Sequence, residues 1–268
     1  VLAFPVPQLP HAFYDDELRR RPDLIFLTTT QNERIPACHV RAAGVAAASQ
    51  RSPLRKTLLY SHGNAEDLGL HLDYIDALAR QTGADVFSYE YVGYGLSRLD
   101  GLEPSEAACL RSIDAAWRYL VDHLQIPPSS IVIYGRSIGS GPSVDLASRS
   151  AVEGSNFSPL DVGGILLQSP LESGARAVLG NAGFGSAVSF AGYRLDIFRN
   201  YEKIGKIRAP VAIMHGTEDE VISCDNGKAL HSQLQKPYQP LWIKGYGHNN
   251  MPQDVCFNYA REFVNSLP

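Results

Sequence analysis

A serine flanked by glycines follows an apolar run and precedes a segment of helical character. The sequence there reads Ile131-Val-Ile-Tyr-Gly135-Arg-Ser137-Ile-Gly139-Ser-Gly141. A strand, a sharp turn carrying the serine and a helix together make a nucleophile elbow, in which Gly135 and Gly139 leave room for the tight backbone. The run lacks the glycine order of a dinucleotide fold and the Gly-Lys-Ser/Thr ending of a phosphate loop. The spacing therefore predicts that Ser137 is a nucleophile.

A serine hydroxyl is a poor nucleophile near neutral pH unless a base accepts its proton and a third group orients that base. Asp219 lies a few residues past the apolar segment 211–215, where a carboxylate is expected in the chain order Ser, Asp, His. Glu218 and Glu220 are its rivals on spacing alone. We predict that Asp219 is the orienting acid.

The best candidate for the base is His248, which follows the apolar segment 240–244 and two glycines. Its position after the acid completes the order that the elbow needs. The other histidines precede the predicted parallel sheet, lie in predicted helices or abut earlier strand ends: His11, His39, His62, His71, His123, His215 and His231. We therefore predict a triad of Ser137, Asp219 and His248.

Acyl-transfer chemistry also needs N–H donors for the negative oxygen of the tetrahedral intermediate. The backbone N–H of Ile138, directly after the nucleophile, is the first candidate. The turn after the apolar strand 57–60 supplies the second, the backbone N–H of Asn64. The Asn64 side chain is a separate question, and a satisfied turn asparagine explains it equally well.

These residues need strands that end at one edge of a sheet. Short apolar runs alternate with segments of helical period, which predicts a parallel sheet with crossover helices on both faces. The apolar runs are 58–61, 85–89, 131–134, 164–168, 211–215 and 240–244. Before them, segments 24–30 and 34–41 predict an antiparallel ribbon. The clearest helix is predicted over 105–124. The fold class is therefore α/β.

We interpret 1–268 as one domain, since neither repeats nor a good linker interrupt it. Residues 149–163 are rich in turn formers and predict a surface loop insertion. Residues 171–199 follow neither period, so a short lid and an irregular packed connection are equally favoured. Phe184, Phe190 and Tyr193 in that segment are candidate walls of an acyl pocket.

The composition narrows the possible partners. The 268 residues carry a net charge of −4 without a basic stripe, so we expect no nucleic-acid partner. The four cysteines are isolated and show no metal-ligand spacing, and the proposed chemistry needs neither metal nor organic cofactor. Apolar runs stay short of the roughly 20 residues that span a bilayer. The first residue is Val1, which suggests that an upstream segment has been removed.

Beyond the elbow, a series of motifs resembles the α/β-hydrolase-domain-containing 17 group of protein depalmitoylases, within the broader Bem46-like α/β hydrolases. The matching runs cover most of the chain from about Leu58 onward: Tyr60-Ser-His-Gly-Asn-Ala-Glu-Asp-Leu-Gly69, Phe87-Ser-Tyr-Glu-Tyr-Val-Gly-Tyr-Gly95, Ile113-Asp-Ala-Ala-Trp117, Tyr134-Gly-Arg-Ser-Ile-Gly139, Val144-Asp-Leu-Ala-Ser-Arg149, His215-Gly-Thr-Glu-Asp-Glu-Val-Ile222 and Gly247-His-Asn249. Three features depart from the family pattern: Arg136 in place of the usual glutamine, the 149–163 insertion and the glycine-rich stretch 180–190. They bear on substrate preference rather than on the triad.

The resemblance implies an α/β-hydrolase fold and hydrolysis of palmitoyl thioesters on protein cysteines, with Ser137, Asp219 and His248 matching the family triad. It also implies a cytoplasmic enzyme that is peripheral to membranes, held there only by an acylated amino-terminal segment absent from this sequence. A general carboxylesterase or lipase is the main alternative, because the same elbow cleaves esters and thioesters. A serine peptidase and a non-catalytic lipid-binding or partner-binding member are weaker alternatives.

Overall fold

One mixed β-sheet forms the centre of the protein. The computed structural model describes residues 4–42, 55–179 and 196–268, except the side chains of 178 and 179. Within these ranges eight strands form a single sheet, in the order β1-β2-β4-β3-β5-β6-β7-β8. The strands are β1 Leu24–Thr28, β2 Arg34–Val40, β3 Thr57–Ser61, β4 Asp85–Tyr89, β5 Ile131–Arg136, β6 Gly164–Gln168, β7 Val211–Gly216 and β8 Leu241–Ile243.

The pairing of the strands follows the expectation from the sequence. β1 pairs with β2 and β2 with β4 in antiparallel fashion. From β4 to β8 all neighbouring strands are parallel. The predicted mostly parallel sheet with an antiparallel amino-terminal ribbon is confirmed.

Helices cover both faces of this sheet. The helices of the described residues are α1 His11–Glu17, α2 Leu72–Thr82, α3 Gly95–Leu99, α4 Glu106–Arg118, α5 Ser140–Ser148, α6 Gly174–Leu179, α7 Cys224–His231 and α8 Gln253–Ser266. Side chains alternate along each strand, so Leu59 packs with α4, α5 and α7, whereas Leu58 and Tyr60 pack with α1, α2 and α8. All three are fully buried. The core is therefore split into two apolar layers with the sheet between them.

The predicted helix over 105–124 is confirmed, with one change at its end. Ser105 caps α4 by accepting a hydrogen bond from the N–H of Ala108 at 3.1 Å. After Arg118 the chain continues as a π-helical turn, Tyr119–His123, because the N–H of Leu124 bonds to the carbonyl of Tyr119 five residues earlier.

Two irregular connections flank the second half of the sheet. Residues 149–163 join α5 to β6 and contain one 3-10 turn, Pro159–Asp161. α6 occupies the start of 171–199, while 180–195 lie outside the described residues. The short lid and the single-domain organisation stay predictions.

The parallel strands place their carboxyl ends at one edge of the sheet. The loops that leave β3, β5, β7 and β8 therefore meet there. They carry, in the same order, Asn64, Ser137, Asp219 and His248. The fold thus gathers the predicted site from four separate segments.

Glycines allow the turn after β5 to press against the end of β3. A Cβ at Gly139 would lie 2.2 Å from the carbonyl oxygen of Ser61 and 2.7 Å from that of His62. A Cβ at Gly135 would lie 2.6 Å from the carbonyl oxygen of Gly139. Because these neighbours are backbone atoms, a side chain at Gly139 would force the turn away from β3, and one at Gly135 would push the start of the turn away from its end.

We predict that Gly139→Ala destabilises the protein by about 3 kcal/mol, since overpacking against backbone atoms cannot be relieved by a rotamer change. Urea denaturation gives the free energy of unfolding. Gly205→Ala is the matched control, because a Cβ there meets its nearest neighbour, the carbonyl oxygen of Gln233, at 3.5 Å. Equal unfolding free energies for the two variants would contradict the close approach.

Candidate functional site

Ser137 occupies a strained turn. β5 ends at Arg136, a 3-10 turn covers Ser137–Gly139, and α5 begins at Ser140. The φ angle of Ser137 is +53°, in the left-handed region that side chains other than glycine rarely adopt. Ser140 stabilises the turn by donating its hydroxyl to the carbonyl of Ser137 at 2.7 Å. This backbone turns the Ser137 hydroxyl toward the loops at the carboxyl edge.

The structure brings the three predicted triad residues into one hydrogen-bonded chain. The Nε2 atom of His248 lies 2.9 Å from Oγ of Ser137, and its Nδ1 lies 2.7 Å from Oδ2 of Asp219. Because a carboxylate only accepts, Nδ1 carries the proton and Nε2 is left to accept the Ser137 hydroxyl proton. All three residues are between 7% and 8% exposed. The arrangement is suited to nucleophilic attack assisted by a general base.

The Asp219 carboxylate is held by four donors. Oδ2 accepts from His248 and His215, and Oδ1 accepts from the N–H groups of Val221 and Ile222 at 2.9 and 2.8 Å. Burial alone would raise the pKa of this carboxyl. The hydrogen bonds from His215, His248 and Ile222 outweigh burial and hold the pKa of Asp219 well below its usual range. The rivals Glu218 and Glu220 are exposed.

His215 lies in direct contact with the predicted acid, a position that the sequence pattern did not indicate. It is fully buried at the end of β7, and its Nε2 lies 3.0 Å from Oδ2 of Asp219 and 2.8 Å from the carbonyl of Ile222. Both neighbours accept, so Nε2 carries the proton. The spacing of four residues from Asp219 was visible in the sequence. Its meaning depends on the tight turn after β7, which the sequence does not reveal.

The turn after β3, residues 62–68, is called here the oxyanion turn because it carries the predicted donor Asn64. Because Gly139 packs against the carbonyls of Ser61 and His62, the oxyanion turn lies beside Ile138, the other predicted donor. The hydroxyl of Tyr94 donates to Oδ1 of Asn64 at 2.7 Å. The Asn64 side chain is therefore held in the turn as an acceptor, and its backbone N–H stays the predicted oxyanion donor.

A buried carboxylate at the end of β4 fixes the oxyanion turn. Glu90 is fully buried and accepts from Nε2 of His62 and from the N–H of Leu68, each at 2.9 Å. Burial raises the pKa of the Glu90 carboxyl, while these hydrogen bonds oppose the shift. For His62 burial favours the neutral ring, but Glu90 outweighs burial and raises its pKa. The pair holds the two ends of the turn together.

His62, Glu66 and His71 are the described residues whose atoms come close enough to share a metal ion, within 4.8 Å of one another. Both nitrogens of His62 are engaged, with Glu90 and with the carbonyl of Gly63. Glu66 is paired with the guanidinium of Arg136, whose charge opposes a cation. This cluster fits the role of fixing the turn better than that of a metal site.

The candidate acyl-pocket residues Phe184, Phe190 and Tyr193 lie outside the described residues. Two clefts, of about 410 and 600 Å³, lie away from the triad and contain none of its members. No helix of the described ranges is long and apolar enough to cross a membrane.

The chain is similar to known proteins in sequence and in fold. It is 40% identical over 227 residues to α/β hydrolase domain-containing protein 17B of Xenopus laevis, covering 84% of the chain and 69% of that protein. It is 36% identical over 229 residues to α/β hydrolase domain-containing protein 17C of Mus musculus, covering 85% and 63%. Among solved structures, the esterase RhEst1 from Rhodococcus sp. ECU1013 matches with a TM-score of 0.62, over 92% of this chain and 100% of that one. At 16% identity this match is a likeness of fold. No protein-family model matches the chain.

We predict that His215→Leu slows the reaction of Ser137 with a fluorophosphonate probe by about 10-fold, since residues that hydrogen-bond to metal ligands cost about 10- to 100-fold when they are lost and His215 supports Asp219 in the same way. The substitution removes the donor to Asp219 while keeping much of the volume. The second-order labelling rate is the measurement. His231→Leu, on α7 with its Nε2 facing the Tyr238 carbonyl, is the control. An equal rate in wild type and His215→Leu would contradict the role of His215.

Proposed function

The chain belongs to the α/β-hydrolase-domain-containing 17 family, and from this membership and the geometry of the site we propose a serine hydrolase that works through an acyl-enzyme on Ser137. That the protein is a hydrolase with the α/β-hydrolase fold follows from its relatives and its sheet. The observation that carries the finer proposal is the hydrogen-bonded chain from Ser137 through His248 to Asp219. No metal or organic cofactor takes part in the proposed chemistry.

In the first half of the reaction, Oγ of Ser137 attacks the acyl carbonyl while Nε2 of His248 accepts the hydroxyl proton. The doubly protonated His248 ring then faces the ionised carboxylate of Asp219. The four donors around Asp219 keep it ionised, so it stabilises the positive ring at the moment of attack. The thiolate or alkoxide leaves and takes this proton from His248, which returns the ring to its neutral form and releases a thiol or an alcohol.

In the second half, water replaces the leaving group. His248 accepts a proton from the water as it attacks the acyl-enzyme, and returns that proton to Oγ of Ser137 as the acid leaves. In both halves the negative oxygen is stabilised by the backbone N–H groups of Ile138 and Asn64. Their segments are already fixed by Gly139 and by Glu90, so little reorganisation accompanies the chemistry.

The substrate we propose is a palmitoyl thioester on a protein cysteine. The basis is the sequence motifs shared with protein depalmitoylases and the membership of the family. A cysteine thiol has a pKa near 8.5, so its thiolate leaves readily and the site needs less acid catalysis than for an alkoxide. A general carboxylesterase or lipase uses the same triad, and the walls of the acyl site decide between them.

We predict that Ser137→Ala abolishes fluorophosphonate labelling and lowers turnover by roughly four to six orders of magnitude, because the triad acts as a unit. The measurement is turnover of an activated acyl ester by pure protein, with circular dichroism to establish folding. Ser148→Ala, in the same helix with its hydroxyl bonded to the Asp145 carbonyl, is the matched control. Undiminished turnover in folded Ser137→Ala would refute the assignment of the nucleophile.

We predict that kcat/KM for a palmitoyl thioester exceeds that for an acetyl thioester by at least about 10-fold, since each buried methylene contributes about 0.8 kcal/mol. Paired thioesters and oxygen esters of equal chain length separate the effect of the acyl group from that of the leaving group. A preference for short oxygen esters would contradict the depalmitoylase proposal and favour a general carboxylesterase. Absence of labelling and turnover in folded protein would favour a non-catalytic member.

A further inference from the structure

Arg136, the residue before the nucleophile, is a largely buried cation. Its side chain is 18% exposed although it ends β5 at the open edge of the sheet. A charge in such a place is costly unless it is paired. Its partner is Glu66 of the oxyanion turn, whose Oε1 contacts Nη1 of Arg136.

The same guanidinium reaches a second loop. Nη2 of Arg136 donates to Oδ1 of Asn249 at 3.3 Å, and Asn249 directly follows the base His248. One planar group thus contacts the oxyanion turn with one nitrogen and the His248 loop with the other. A lysine, with a single ammonium, could not reproduce this fork.

The contact with Glu66 is passed on to the backbone of the oxyanion turn. Oε2 of Glu66, the atom not engaged with Arg136, accepts the N–H of Gly63 at 3.0 Å. Gly63 immediately precedes Asn64. A displacement of Glu66 would therefore be felt at the backbone N–H that meets the substrate oxygen.

The environment below the guanidinium holds it in place. Tyr60, Tyr74 and Tyr134 lie beside it in the apolar layer, and the ring centroids of Tyr60 and Tyr134 are 5.1 Å apart. Tyr134 and Tyr74 both donate to Oε1 of Gln168, at 2.6 and 3.3 Å. A packed, hydrogen-bonded floor limits the rotamers open to Arg136.

We propose that Arg136 is a positioning residue that keeps the oxyanion turn and the His248 loop in place relative to Ser137. This inference rests on the proposed acyl-enzyme function. Arg136 itself does not touch the reacting atoms. It acts through Glu66 on one donor of the oxyanion site and through Asn249 on the base.

The role predicts a loss in kcat rather than in KM, because the misplaced groups act on the transition state. Arg136→Gln should lower kcat by about 10- to 100-fold, the usual cost of a displacement near 1 Å or of a lost supporting contact, with KM changed by less than about 3-fold. Glu66→Gln should have a similar effect. Arg136→Lys should recover little, since it keeps the charge and loses the fork.

The measurement is kcat and KM for an acyl thioester in wild type, both single variants and the double variant Arg136→Gln with Glu66→Gln. If the two residues act as one unit, the double variant loses no more than either single one. Arg149→Gln is the matched control: Arg149 is also paired with two carboxylates, Asp114 and Asp145, but at the far end of α5. It should lower thermal stability and leave kcat within about 3-fold of wild type.

Three results would overturn the positioning role: kcat of folded Arg136→Gln within about 3-fold of wild type, a loss confined to KM, or strictly additive losses in the double variant. Thermal denaturation and circular dichroism, taken on every variant, separate a kcat effect from loss of fold. Ser137→Ala is measured alongside. Turnover that survives Ser137→Ala removes the proposed function, whereas Ser137-dependent turnover that is indifferent to Arg136→Gln removes only this inference.

Discussion

The site depends on the close backbone approach between the nucleophile turn and the end of β3. Gly139 lies so near the carbonyls of Ser61 and His62 that no side chain fits between them. This contact places the segment of Ile138 beside the oxyanion turn, and it supports the strained φ of Ser137 by leaving the turn no room to relax. The strain is stored in a part of the sheet whose strands are buried and parallel on both sides, so the surrounding structure can bear it.

Two buried carboxylates then fix the loops that the sheet alone would leave free. Glu90 directly follows β4, and Asp219 lies in the turn after β7. Each carboxylate accepts hydrogen bonds from backbone N–H groups and from a histidine. A buried carboxylate with this many donors is rigid, because moving it would leave several buried donors unpaired at once. The two have different roles nevertheless. In the proposed mechanism Asp219 orients His248 and stabilises the positive charge that this ring gains, whereas Glu90 pairs with His62 and orients the backbone of the oxyanion turn.

The sequence revealed those parts of the site that depend on local pattern. The elbow around Ser137 is a contiguous motif, and Asp219 and His248 follow strands that their apolar runs predict. The supporting contacts could not be read in this way, because they join segments far apart in the chain: His62 and Glu90 are separated by 28 residues, and Glu66 and Arg136 by 70. His215 was set aside because it abuts the end of a strand that precedes the position expected for the base. The segment 171–199 had no period to interpret, and its central residues lie outside the described ranges.

The charges closest to Ser137 are paired within the site. Arg136 is matched by Glu66, His62 by Glu90, and Asp219 by its four donors. Each of these charges is held in place by hydrogen bonds to its partners. In the proposed mechanism, the backbone N–H groups of Ile138 and Asn64 bind a negative oxygen better than a neutral carbonyl. Paired charges thus hold the loops in place, and in the proposed mechanism the backbone N–H dipoles supply the preference for the transition state.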